Sequence, residues 1–344
     1  MAEGGGRCRA AEEAVMTANK DVKRLIRERQ VKTGEAYSTA HMHVMSERAA
    51  LVAPASATTK CEAIVLATAG RSAVVRVAGE EGDVVFRVDR ELTIVPGHVA
   101  TLTIDKRWSH NGRPWASGRV DDARVDVPRL GLVPLRLHGG ELEDVAQTTE
   151  PVRGRSAHAR MWKKNVAEPR PSFEFEAIAW GALPGEDPDD NPTCRASELR
   201  AEGRNFEAEQ LLMKTLAKDV RVLDAHAGLG NAEFGERPRQ ALLHYEVGVR
   251  IGELSLPPGF DGLLTWANLY NRAFLRCLHG YGLSLWRLGD FAAAQQAFER
   301  MLRFNPNDNQ GVRFCWADVL ARRSWEQMQE REERVRAEGL QRLH

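Results

Sequence analysis

Residues 274–306 read FLRCLHGYGLSLWRLGDFAAAQQAFERMLRFNP, and this stretch decides how the second half of the chain folds. Apolar side chains recur at helical spacing from Phe274 to Leu288 and again from Phe291 to Phe304. Gly289–Asp290 separates the two runs, and Asn305–Pro306 follows the second. Because glycine and proline punctuate helices in this way, the stretch predicts two helices joined by a tight turn.

The same stretch is similar to the tetratricopeptide repeat family, which builds helix pairs of about 34 residues. The positions that carry the resemblance are Gly282 at the close approach of the first helix, Gly289 at the turn, Ala294 and Phe298 in the second helix, and Pro306 as the terminator. Leu278 and Met301 depart from the family pattern, but both remain apolar.

Two earlier copies of the unit are less complete. Their matching positions are Gly203, Ala208 and Leu216, with Val220 in place of the terminal proline, and then Leu229, Gly230, Ala241 and Tyr245. The resemblance therefore implies a block of stacked helical repeats over residues 193–344. The charged segment from Ser324 to His344 is interpreted as a terminal capping helix.

Repeats of this family stack into a curved solenoid whose concave face is lined by the first helices and binds peptide segments. The resemblance places six residues on that face: Asn231, Arg276, His279, Trp286, Arg287 and Arg313. A guanidinium matches a carboxylate in a planar, two-pronged geometry, which favours an acidic or C-terminal peptide as the partner. Alternatively, these arginines pair with Asp290, Glu299 or Asp318, or are solvated.

Residues 61–127 show the pattern of β-strands and not that of helices. Five β-branched runs cover 63–66, 73–77, 83–88, 98–104 and 115–120, and glycine-rich turns separate them. Short strands at this spacing predict a small closed β-barrel. The stretch from Gly79 to Trp108 resembles an OB-type or TRAM-type barrel.

Barrels of the OB type bind nucleic acid through aromatic and basic side chains on one face. Residues of that kind are Arg107, Trp108, Arg113 and Trp115. They form a candidate site for RNA or DNA, and the alternative is a structural barrel in which the tryptophans are packing anchors.

Residues 1–51 predict a small helical hairpin, because two helical runs flank a break at Thr33–Gly34. A DNA-binding helix-turn-helix is the alternative, but the second helix is poor in base-reading groups. His41 and His43 lie two apart on that helix and point in different directions, so they do not form a metal pair. Residues 128–192 are interpreted as an irregular linker region.

The composition sets further limits. Lys plus Arg and Asp plus Glu both total 48, so no global charge attracts nucleic acid or membrane. The five cysteines are scattered, which argues against disulfides and structural zinc. No apolar run approaches the ~20 residues of a membrane helix, and no signal peptide is evident, so a cytoplasmic protein without membrane contact is expected.

Together these patterns predict a multidomain α+β protein with a small N-terminal helical hairpin, a small five-stranded β-barrel and a C-terminal solenoid of tetratricopeptide type. The motifs of metalloproteases, P-loop enzymes and serine hydrolases are missing from the sequence. We therefore expect a non-enzymatic scaffold or adaptor that needs no metal or cofactor and binds a protein or peptide partner. The alternative is a regulator that binds RNA or DNA through the barrel or the N-terminal helices and recruits a partner through the repeats.

Overall fold

The structure is a computed structural model that describes residues 23–24, 26–34, 36–52, 58–185, 187 and 190–341. The chain divides into two compact units, Met1–Thr58 and Thr59–His344. Within the described residues no helix is both long enough and apolar enough to cross a bilayer.

The first unit contains a helical stretch at 26–33 and helix α1 (Tyr37–Val52). Gly34 ends the first helical stretch with a φ of 71°, and its N–H donates to the carbonyl of Gln30. A small buried cluster of Ile26, Ala40 and Val44 packs the two segments together. The predicted first helix begins at Ala10, and its residues up to 22 lie outside the described part of the chain.

The second unit begins with a closed five-stranded barrel, as the sequence predicted. Its strands are β1 (Thr59–Ala69), β2 (Ser72–Val77), β3 (Val84–Val88), β4 (Val99–His110) and β5 (Arg113–Arg124). The order around the barrel is β1-β2-β3-β5-β4, with β3 parallel to β5 and every other pair antiparallel. Alternate side chains such as Val75, Phe86 and Leu102 fill the interior.

Strands β4 and β5 continue beyond the predicted ends as a long hairpin. Asn111 and Gly112 both have positive φ, at 51° and 73°, as a two-residue turn of type I′ requires. The register of the hairpin sets Trp108 directly opposite Trp115. The turn therefore fixes the position of both tryptophans on the barrel surface.

The segment interpreted as an irregular linker region contains short elements that pack on the helices. These elements are α2 (Val127–Leu130), β6 (Leu137–Glu143), α3 (Val145–Thr148), α4 (Ala157–Asn165), β7 (Arg170–Phe175) and a 3-10 turn (Ala177–Trp180). Phe175 is fully buried, and the guanidinium of Arg170 donates to the carbonyl of Arg303 at 2.7 Å. Such contacts depend on residues far along the chain, so the local pattern does not show them.

The rest of the second unit is helical. Its helices are α5 (Pro192–Ala201), α6 (Asn205–Lys218), α7 (Leu223–Phe234), α8 (Pro238–Leu254), α9 (Asn271–Arg287), α10 (Phe291–Phe304), α11 (Val312–Leu320) and α12 (Trp325–Gln341). They form three successive hairpins, α5–α6, α7–α8 and α9–α10, followed by α11 and α12. The first helices of neighbouring hairpins contact one another, so α5, α7, α9 and α11 make one layer.

Close helix crossings in this block depend on glycine. A Cβ at Gly282 would lie 2.5 Å from the ring of Phe298, which is fully buried in the facing helix α10. A Cβ at Gly230 would lie 2.6 Å from the ring of Tyr245. Neither ring has room to withdraw, because both are buried on all sides.

We expect Gly282→Val to lower the free energy of unfolding by about 2–3 kcal/mol, because the added carbons overlap the Phe298 ring. Denaturant unfolding measured by circular dichroism tests this. The matched control is Gly235→Val, since Gly235 has a φ of −63° and a Cβ at this position would meet no atom within 4 Å. Equal stability of the two variants would contradict the packing argument.

The barrel docks on the helices through the loop that precedes β4. Val95 belongs to the same buried core as the helices, and a Cβ at Gly97 would lie 2.6 Å from Val247 of α8. Thr68 at the end of β1 donates to the sulfur of Met213 in α6 at 3.7 Å. The barrel and the helices therefore share a buried seam.

Three histidines lie in this seam: His98 before β4, His226 in α7 and His244 in α8. Each is at most 2% exposed, and the Nδ1 atom of each is buried without a hydrogen-bond partner among the described residues. Burial lowers the pKa of His98 and of His226 from the ordinary 6.5 to about 4, and the pKa of His244 falls well below 6.5 for the same reason. The three imidazoles are therefore neutral in the folded protein near pH 7.

We expect stability to fall as the pH drops from 6.5 toward 4. The unfolded chain protonates these histidines near 6.5 while the folded chain does not, so acid favours unfolding. Each such histidine adds a slope of up to about 1.4 kcal/mol per pH unit. His98→Leu should therefore flatten the pH profile of the unfolding free energy, whereas the same change at exposed His138 should leave its slope as in the wild type. A His98→Leu profile as steep as the wild type would refute the assignment.

Candidate peptide-binding pocket

The first helices of the three hairpins enclose a polar pocket of about 110 Å³. Its polar lining comes from Thr193, Ser197 and Arg200 of α5, Asp224 and Asn231 of α7, and Arg276 of α9. Two of the six residues that the resemblance placed on the concave face, Asn231 and Arg276, are thus brought together here.

Helical spacing explains why these side chains converge. In α5 the three polar residues lie at i, i+4 and i+7, and so share one face. Asp224 and Asn231 are also seven apart, on one face of α7. The start of α5 is fixed by Asn191, whose side-chain oxygen accepts from the N–H groups of Thr193 and Cys194.

Arg276 is the cation at the mouth of the pocket. Its Nη1 atom lies 2.8 Å from a carboxylate oxygen of Asp224, and the exposed fractions of the two side chains are 38% and 11%. The guanidinium carbon also lies 5.7 Å from the centre of the Trp266 ring. Because a guanidinium has five N–H donors, contact with Asp224 leaves others available at the open side.

Arg200 is the second cation of the pocket, and it lies deeper. Its guanidinium donates to the carbonyl of Gly228 in α7. Burial lowers its pKa from the ordinary value, although Tyr245, Glu209 and Asp224 act in the opposite direction. Gly228 is required here by the packing of Leu212, since a Cβ at this position would lie 2.8 Å from that side chain.

Asn231 completes the rim. Its side-chain oxygen accepts from the Tyr245 hydroxyl at 2.6 Å, which fixes the orientation of the amide. The amide nitrogen makes no hydrogen bond to any described residue and is left as a donor at the rim. Two arginines against one aspartate give the pocket a net charge of +1.

The other predicted concave-face residues lie elsewhere. Trp286 is 2% exposed; its Nε1–H donates to the carbonyl of Arg323 and its ring meets Trp325 edge-on at 5.0 Å. Arg287 caps the end of α7 by donating to the carbonyls of Phe234 and Gly235. Trp325 at the start of α12 contacts both side chains, so they stabilise helix packing instead of lining the pocket.

His279 and Arg313 lie near one another, away from the pocket. His279 is largely enclosed, and burial lowers its pKa to about 4. Its Nδ1 atom lies 3.4 Å from the Gln310 amide. Arg313 pairs with Asp308 at 2.7 Å. Asp308 is not among the three partners that the sequence left open, which were Asp290, Glu299 and Asp318.

On the barrel, the four candidate nucleic-acid residues differ in their exposure and in their partners. Trp108 and Trp115 are half-buried and stack with ring centres 5.9 Å apart and planes 23° from parallel. Arg113 is exposed and forms no ion pair with a described residue. Arg107 is instead held in a forked pair with Glu80, at 2.7 and 2.8 Å.

Sequence reasoning missed Thr193, Ser197, Arg200 and Asp224. The signal was present, because polar residues at i, i+4 and i+7 in α5 lie along one side of the helix. What the pattern does not show is that this face meets α7 and α9.

Comparison with protein-family models and with curated proteins gives no match for this chain. Within the described residues no group of His, Cys, Asp and Glu side chains is arranged to hold a metal ion. The chemistry of the pocket therefore rests on its own geometry, which offers hydrogen-bond donors and positive charge to a small anionic group.

Proposed function

We propose that the protein is a non-enzymatic scaffold whose helical block binds a peptide segment of a partner through the pocket between α5, α7 and α9. The observation that carries this proposal is the convergence of Arg200, Arg276 and Asn231 at one polar opening. All three present N–H donors, and Asp224 neutralises only one of the two cations.

A carboxylate is the group that this opening fits. The volume of about 110 Å³ suits one small polar group, such as an aspartate or glutamate side chain or a chain terminus. Guanidinium donors form strong, charge-assisted hydrogen bonds with carboxylates. The proposed ligand is therefore an acidic or C-terminal peptide segment, with Arg276 as the main contact.

The helical block is proposed to be of the tetratricopeptide type. Support comes from the residues that carry the resemblance: Gly282 lies against Phe298, and both Ala294 and Phe298 are fully buried between α9 and α10. The placement of the pocket on the first helices of successive hairpins agrees with the concave binding face of that family.

The test is binding of peptides selected from a random library with free C-termini on the full chain. We expect the enriched peptides to carry a carboxylate that cannot be replaced by its amide. Arg276→Met should weaken their binding by about 10- to 100-fold in fluorescence anisotropy, because a charge-assisted hydrogen bond is lost and Asp224 is left to repel the ligand.

The matched control is Arg272→Met, one turn earlier on α9. Arg272 also stacks on Trp266, at 5.4 Å, but does not line the pocket. Its replacement should leave the affinity within about two-fold, a change of less than about 0.5 kcal/mol. Selected peptides that bind equally well to the Arg276 and Arg272 variants would place the ligand elsewhere and refute the proposal.

A second candidate function is binding of single-stranded nucleic acid on the barrel. The observation that favours nucleic-acid binding is that aromatic and basic side chains lie on neighbouring strands of the outer face. Trp108 pairs with Trp115, which pairs with Val85, and the neighbouring row sets Lys106 beside Ser117 and Arg87. Aromatic faces next to unpaired cations are what stacked bases and phosphates require.

We expect labelled oligothymidylate to bind the full chain and to lose about ten-fold in affinity on Trp108→Ala, since one stacked base contributes about 1–3 kcal/mol. Lys106→Gln/Arg113→Gln should make the plot of log affinity against log salt shallower by about 1.4, the loss of two phosphate contacts on a single strand. Anisotropy titrations at several salt concentrations measure both effects.

The control for charge is Lys163→Gln/Lys164→Gln, which removes two exposed cations from the end of α4. This variant should keep the wild-type salt dependence. If oligothymidylate fails to bind, or if both double variants change the salt dependence equally, the barrel face is not a nucleic-acid site.

A further inference from the structure

A second cavity lies in the seam between the barrel and the helices, on the opposite side of α7 from the peptide pocket. Its volume is about 430 Å³. The β1–β2 turn at Gly70, the loop before β4 at Leu92, and helices α6, α7 and α8 supply its walls. We call it the seam cavity.

Three carboxylates line the seam cavity: Glu91, Glu209 and Glu233. Glu233 is 8% exposed and forms a forked ion pair with Arg237. Burial raises the pKa of Glu233, and the charges of Glu209 and Glu91 raise it further while Arg237 lowers it. Glu91 and Glu209 are therefore each close enough to Glu233 to act on its carboxylate.

The two arginines of the cavity do not fully compensate the negative charge of the three carboxylates. Arg237 is committed to Glu233, and Arg71 at the rim donates to the backbone carbonyl of Asp89. Glu91 and Glu209 form no ion pair with any described residue. Three carboxylates against two guanidiniums leave the seam cavity with a net charge of −1.

A second observation is independent of the acids. His244 lines the cavity, is 2% exposed, and its imidazole makes no hydrogen bond to any described residue. A buried imidazole without a hydrogen-bond partner is costly, and one that lines a cavity indicates a place for a polar ligand group. The imidazole is neutral near pH 7, so it adds no repulsion toward a cation.

An apolar groove adjoins the seam cavity. Phe206, which is 70% exposed, and Met213 also line an adjoining apolar groove of about 310 Å³ with Ala67 and Ala217. An aliphatic stem would be covered by this groove while its charged end reaches the carboxylates. Long cationic side chains bury their methylene groups in this way.

We propose that the seam cavity binds an ammonium or guanidinium group carried on an aliphatic stem. Glu91 and Glu209 supply the charge, His244 a further polar contact, and Phe206 with Met213 the cover for the stem. The ligand chemistry is shared by the lysine or arginine side chain of a protein and by a free polyamine. A bare metal ion is a poorer match, because no described group has metal-holding geometry.

Met213 provides a direct probe, because it lines both the seam cavity and the apolar groove. The full chain is labelled with 13C at the methionine methyl groups, and the signal of Met213 is assigned by its loss in Met213→Leu. The titrants are N-acetyl-arginine N-methylamide, spermidine, and the neutral isostere N-acetyl-citrulline N-methylamide. The first reports a side chain carried by a protein and the second a free polyamine.

We expect at least one cation to shift the Met213 signal with a saturable curve while the citrulline compound does not. The variant Glu91→Gln/Glu209→Gln should raise the Kd by about ten-fold, as expected for two partly solvated charge contacts. The control Glu141→Gln/Glu168→Gln removes two exposed carboxylates elsewhere and should leave the Kd unchanged. We also expect this control to keep the wild-type methionine spectrum, which would show that the fold tolerates the loss of two negative charges.

A response to the arginine compound alone assigns the site to a protein-borne cation, and a response to spermidine alone assigns it to a polyamine. The proposal is overturned if neither cation shifts Met213, if citrulline binds as well as arginine, or if Glu91→Gln/Glu209→Gln retains the wild-type Kd. Retention of signals from methionines outside the cavity distinguishes lost binding from lost folding.

Discussion

Helix α7 has almost no free face, and this constraint determines the arrangement of the second unit. Its small residues Ala225, Ala227 and Gly230 are buried, so neighbouring helices approach closely on several sides. Tyr245 fills the space that Gly230 leaves, and Leu223 accepts a hydrogen bond from the thiol of Cys277 in α9. A helix enclosed in this way has one register, because any rotation would bring a larger side chain against its neighbours.

The register of α7 in turn separates the two cavities. At 3.6 residues per turn, Asp224 and Asn231 share one face, while His226 and Glu233 lie on the opposite face. The first face turns toward α5 and α9 and forms the polar pocket. The second face turns toward the barrel and forms part of the seam. Because one rigid helix carries both sets, a displacement of α7 would alter both cavities together.

Much of this arrangement is encoded locally, and the part that is not depends on distant contacts. The alternating runs and the Asn111–Gly112 turn predicted the closed barrel correctly, since strand period and turn chemistry are properties of neighbouring residues. The helices around Gly289 were predictable for the same reason. The burial of Trp286 was not, because its cover is Trp325 from a later helix. Of the predicted concave-face residues, Asn231 and Arg276 meet in the pocket, but Arg200 and Asp224 join them only through the packing of three helices.

The neutral total charge of the chain conceals a local separation of charge. The balance of 48 basic and 48 acidic residues gave no reason to expect charged ligands. Yet the pocket on one side of α7 has a charge of +1 and the seam cavity on the other side has a charge of −1. Fields in clefts are set by the few charges that line them, because low-dielectric walls focus those charges and solvent screens the remainder. The two sides of α7 are therefore complementary to an acidic and to a basic segment respectively, although the zero net charge of the whole chain attracts neither kind of segment.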